Sequence, residues 1–136
     1  MMENGPFGRK EKILLVEDNP DILEALVVIF RLKGFGVSTL TRGDQVMDAV
    51  LSSKPDLIVL DVIIPAPDGL TLCSLLKNRE ATRRIPVILL SARCQKDDIE
   101  QGALAGADRY ITKPFQNGEL LATVNKLLEE TYASLF

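Results

Sequence analysis

The 136-residue sequence contains no histidine and no tryptophan. The missing histidine excludes imidazole acid–base triads, histidine metal sites and any phosphohistidine on this chain. Cysteine is scarce. Cys73 and Cys94 lie far apart, form no CxxC pair and read as free thiols of a reducing cytosol. No apolar run approaches the ~18 residues of a membrane-spanning helix. Met1 to Lys12 lack the apolar stretch of a signal peptide. A cytoplasmic location is therefore expected. Positive charge is in slight deficit, with 16 Lys+Arg against 19 Asp+Glu and a net charge of -3. That argues against direct nucleic-acid binding, which draws on clustered basic residues. Glycine-rich phosphate loops are absent too: neither GxGxxG nor GxxxxGK[ST] occurs.

What is present is 46% apolar and 26% charged, the composition of one ordinary globular domain. Residues 1–10 carry no periodic pattern and read as a flexible N-terminal tail. Five short apolar runs follow, at 13–16, 36–40, 57–60, 87–90 and 110–111. Three are continuous and rich in Val, Ile and Leu, which marks strands covered on both faces. Between them lie segments of helical spacing. Residues 20–33 align Ile22, Leu26, Ile29 and Phe30; residues 42–53 carry Val46, Ala49 and Val50. Residues 69–79 carry Leu72, Leu75 and Leu76, and residues 95–105 carry Ile99, Ala103 and Leu104. The strongest stripe, Leu120, Leu121, Val124, Leu127 and Leu128, falls in 117–131. Five strand–helix units imply an α/β fold, a doubly wound parallel sheet with right-handed crossovers. The expected domain spans 11–132, with 133–136 as its C-terminal end.

In such a sheet the ligand crevice lies beyond the carboxyl ends of the strands. The first run ends in Glu17-Asp18, the third in Asp61, the fourth in Ser91 and the fifth, after Thr112, in Lys113-Pro114. Three carboxylates, a hydroxyl and an ammonium therefore converge on one edge. One ammonium cannot neutralise three carboxylates, whereas a hard divalent cation such as Mg²⁺ takes oxygen ligands of this kind. An aspartate can attack phosphorus to give an aspartyl phosphate, with the cation, the Lys and the hydroxyl meeting the phosphoryl oxygens. Two carboxylates alone would serve a glycosidase, but that leaves Lys113 and Ser91 without a role. A phosphatase working through an aspartyl intermediate would want a second Asp two residues after the nucleophile, where Ile63 stands. A domain that only scaffolds partners would need none of this set.

The segments ILLVEDNP, PDLIVLDVIIPAPDGL, IPVILLSA and GADRYITKPF, in that order, resemble the receiver domain of two-component response regulators, from about residue 12 to residue 130. The resemblance implies a flavodoxin-like (βα)5 fold of strand order 2-1-3-4-5. It implies a phosphoacceptor at Asp61, with Lys113 and Ser91 as its partners in the transfer. Mg²⁺ would be held by Glu17, Asp18, Asp61 and the backbone carbonyl of Ile63, and Ser91 with Tyr110 would form the switch. A cis Lys113–Pro114 bond is implied as well. The phosphoryl group would come from a histidine kinase or a histidine phosphotransfer protein. The domain would promote its own phosphorylation and dephosphorylation without being a turnover enzyme. Its changed surface, the fourth helix, fifth strand and fifth helix, would address a downstream protein, an output domain not contained in this chain, or a second copy in a phosphorylation-dependent homodimer. Ile64 stands where the family usually has Met, and Pro67 is an extra proline expected to stiffen the loop beside Asp61.

Overall fold

The computed structural model describes residues 9–135. The tail expected over residues 1–10 lies outside them apart from Arg9 and Lys10. Arg9 is tied down, its guanidinium donating to both carboxylate oxygens of Asp56 at 2.7 and 2.6 Å.

The chain alternates β1 (Lys12–Val16), α1 (Pro20–Leu32), β2 (Gly36–Leu40), α2 (Val46–Ser53), β3 (Leu57–Asp61), α3 (Gly69–Lys77), β4 (Val87–Ser91), α4 (Lys96–Leu104), β5 (Arg109–Thr112) and α5 (Asn117–Ala133). All strand pairings are parallel and the order is β2-β1-β3-β4-β5. Successive strand side chains point to opposite faces, and both faces are covered. Ile13, Leu15, Val59 and Leu90 pack with Leu26 and Phe30 of α1 and with the Leu120 to Leu128 stripe of α5. Leu14, Val16, Leu60 and Leu89 pack with Val46 and Val50 of α2 and with Leu72, Cys73 and Leu76 of α3. β3 and β4 are buried along their whole length, which is why their sequences show no alternation.

Three helices depart from the sequence reading. The segment 42–53 opens with a 3-10 turn at Gly43–Gln45, and only Val46–Ser53 is α-helical. Gly43 donates its N–H to the Pro65 carbonyl at 2.9 Å. A Cβ at this position would collide with the Pro67 carbonyl. In α3, Cys73 takes the core place expected of Leu75, which is 51% exposed. In α4, the expected stripe points away from the sheet: Ile99 is 42% and Leu104 80% exposed. The buried residue of that helix is Gly102, which lets it settle on Tyr110 and Leu89. A small residue, not a large apolar one, sets that contact, so hydrophobic spacing alone misassigns the buried face.

Candidate functional site

The site is built where strands stop and helices start. β1 runs directly into Glu17 and Asp18. Asn19 then caps α1, its side-chain oxygen accepting from the N–H groups of Asp21 (2.9 Å) and Ile22 (3.2 Å), with Pro20 at the first helical position. This fixes the acidic pair at the lip of the sheet. Asp61 is the last residue of β3, and α3 begins so close to it that a Cβ on Gly69 would strike the Asp61 backbone. Asp68 caps α3 by accepting from Thr71 N–H at 2.8 Å. Ser91 ends β4 on the neighbouring strand, and Lys113 follows β5, its N–H donating to the Ser91 carbonyl at 2.8 Å.

These ends bring the side chains of Glu17, Asp18, Asp61 and Lys113 together, with Ser91 at the end of the adjacent strand. Lys113 Nζ donates to Glu17 Oε1 at 2.5 Å and to Asp61 Oδ2 at 2.8 Å. Glu17 (1% exposed) and Asp61 (5%) are buried, while Asp18 is exposed. Each of the three carboxylates offers an oxygen, and these oxygens lie within 4.8 Å of one another. The remaining Asp61 oxygen accepts the Ile63 N–H at 3.0 Å, and Glu17 Oε2 accepts the Asn19 N–H at 3.2 Å. Ser91 Oγ is fully buried and accepts the Arg93 N–H at 3.1 Å. Lys113–Pro114 is cis, and so is Ala66–Pro67, which the sequence reading did not anticipate.

The electrostatics are those of a pocket short of positive charge. Burial, followed by the hydrogen-bonded neighbour Asp61, holds the Glu17 carboxyl above its ordinary range despite Lys113. Burial pulls the Lys113 ammonium down, but its bonds to Asp61 and Glu17 outweigh that and raise it on balance. A lysine held cationic beside three carboxylates leaves a surplus of negative charge. With oxygen donors only, the set fits a hard divalent cation.

Tyr110 lies beside this crevice rather than in it. The ring is half-buried and its hydroxyl donates to the Arg93 carbonyl at 2.7 Å. Its ring packs where α4 carries Gly102; a Cβ there would lie 2.7 Å from Tyr110 Cδ2. The sequence reading missed Gly102 and the Arg93 carbonyl. An isolated glycine within a helical pattern was the only available signal.

Residues 13–125 match the response regulator receiver domain family. Among curated relatives, the phosphate regulon transcriptional regulatory protein PhoB of Rhizobium meliloti is 40% identical over 121 residues, covering 86% of this chain and 52% of its own. The chain spans about half the length of the curated relatives it matches. Among solved structures, the BeF3-activated N-terminal receiver domain of Klebsiella pneumoniae RstA superposes with a TM-score of 0.82 at 30% identity. That match covers 87% of this chain and 98% of the other. The receiver domain of sensor histidine kinase PA1611 from Pseudomonas aeruginosa, with a magnesium ion coordinated in its active site cleft, also gives 0.82 at 30% identity, covering 88% and 98%.

Proposed function

This chain belongs to the response regulator receiver domain family, and on that premise we propose that residues 11–132 form a phosphorylation switch with Asp61 as the acceptor. The supporting observation is the shared Lys113 ammonium, 2.5 Å from Glu17 and 2.8 Å from Asp61, inside a three-carboxylate cluster. Asp61 Oδ attacks phosphorus of a phosphohistidine on a histidine kinase or histidine phosphotransfer protein. The new P–O bond forms as the P–N bond breaks, and the imidazole leaves with its electron pair. The Ile63 N–H holds the Asp61 carboxylate in orientation, and Lys113 stays protonated against the developing charge. Glu17, Asp18, Asp61 and the Ile63 carbonyl would hold Mg²⁺, which supplies compensating charge at the phosphoryl oxygens.

The acyl phosphate adds nearly two negative charges and several acceptor oxygens. The Ser91 hydroxyl, which now only accepts, donates to one of them and draws the β4–α4 connection inward. Tyr110 is bonded to that connection through the Arg93 carbonyl, so the shift reaches its ring and the α4-β5-α5 surface. That surface acts on a downstream protein, on an output domain, or on a second copy in a phosphorylation-dependent homodimer. A cytoplasmic site of action and self-catalysed loss of the phosphoryl group complete the reading. Among the described residues no helix is long and apolar enough to cross a membrane.

Incubation with acetyl phosphate and Mg²⁺ should label Asp61, as located by mass spectrometry, and Asp61→Asn should abolish the label. Persistent labelling of Asp61→Asn would contradict the assignment.

A further inference from the structure

A groove of about 430 Å³ runs between α3 and α4, and the phosphorylation chemistry does not use it. Its lining includes Leu70, Thr71, Ser74, Leu75, Gln101 and Leu104, all neutral. Leu75 is 51% and Leu104 80% exposed, so two large apolar side chains stand in water beside each other's helices. A chain of this size could have placed them inside; α3 buries Cys73 instead and α4 buries Gly102.

The segments that flank the neutral groove at its two ends carry opposite charge. Both helices follow parallel strands, so both run from the carboxyl edge of the sheet to the amino edge. Asp97 lies in the first turn of α4 and shares a stripe with Gln101 and Leu104, at i, i+4 and i+7. Asp98 and Glu100 adjoin it. At the far end, the exposed Arg79, Arg83 and Arg84 follow α3 on the way to β4. Lys96 and Glu80 weaken the two signs without reversing them.

We propose that this groove is the contact face of a homodimer, occupied by a second copy of the chain lying antiparallel about a two-fold axis perpendicular to the helices. Such an axis brings the leucines of the two copies together at the centre. It also lays each acidic end on the other copy's basic end. A partner of single charge sign would be repelled at one end of the groove, whereas a copy of the same surface is complementary at both. The contact is isologous and closes at two subunits. It shares α4 with the α4-β5-α5 surface but pairs it with α3 in place of β5 and α5, and it needs no phosphoryl group.

Sedimentation velocity over a concentration series of the unphosphorylated chain tests this. A monomer–dimer equilibrium that weakens with added salt is expected. Leu104→Glu should weaken it at least about tenfold. Asp97→Arg and Arg83→Asp should each weaken it, and the two together should recover most of the loss. Arg109→Glu, on β5, should leave it unchanged. Circular dichroism melts show that each variant is folded; Leu104 is exposed enough to accept the change. A monomer at every concentration overturns the proposal. So does a dimer that survives Leu104→Glu or dissolves with Arg109→Glu. Labelling of Asp61 is measured separately, so either reading can fail alone.

Discussion

At the scale of single residues, the least comfortable group is Glu11. It is 7% exposed, and its Oε1 has no hydrogen-bond partner among the described residues. Burial, and then the nearby Asp56, hold its carboxyl above the ordinary value of 4.5, with Arg9 opposing. The folded protein therefore favours the protonated acid. Glu11 contributes most to stability below its unfolded pKa, and that contribution is lost as pH rises through the higher folded value. Glu11→Gln should gain about 1 kcal/mol at neutral pH. The gain should fade as pH falls below that window, where the native carboxyl is itself protonated. Thermal melts at several pH values check this; an equal gain at every pH contradicts it. The residues of the crevice were legible because Glu17-Asp18, Asp61 and Ser91 each follow a run of four apolar residues with neither charge nor hydroxyl, and Lys113 follows the short fifth run after Thr112. Gly102 was not, because its meaning depends on a ring delivered from β5.

At the scale of elements, α3, the loop to β4 and the α4–β5 turn are joined by one ammonium. Lys77 Nζ donates to the carbonyls of Arg83 (3.2 Å) and Ile85 (2.8 Å) and to Asp108 Oδ2 (2.8 Å). The same Asp108 oxygen accepts the Val87 N–H at 2.8 Å, and Gly106, at φ +92°, packs on the Lys77 stem. All three ammonium donors are satisfied. Lys77→Met keeps the stem, strands two carbonyls and leaves Asp108 Oδ2 with only the Val87 N–H, which should cost about 1–3 kcal/mol in urea unfolding. A loss below about 0.5 kcal/mol would show that water replaces the ammonium freely. The helices themselves were legible wherever a broad apolar stripe meets the core, as in α1 and α5. Spacing failed in α3 and α4 because it reports a face, not which neighbour covers that face.

At the scale of the molecule, segments that are individually unremarkable place the charges that follow β1, β3 and β5, and the Ser91 hydroxyl of β4, at one edge. Strand–helix alternation implied parallel strands, but the order β2-β1-β3-β4-β5 came from resemblance, since periodicity says nothing of which strands are neighbours. The crevice concentrates negative charge that one lysine does not balance. Mg²⁺ should therefore stabilise the whole fold by mass action, by about 2.7 kcal/mol at a hundredfold excess over its dissociation constant. Melting curves with MgCl₂ against NaCl of equal ionic strength check this. Asp18→Asn should shrink the difference, and an equal rise with both salts would show a general ionic effect instead.

Tyr110 keeps its seat because α4 carries only a hydrogen atom at Gly102. A single methyl added at that position would crowd the ring and force it or the helix to shift, without touching any acidic or basic group. In the proposed switch, that change would jam the relay beyond Asp61 and hold a phosphorylated aspartate mute.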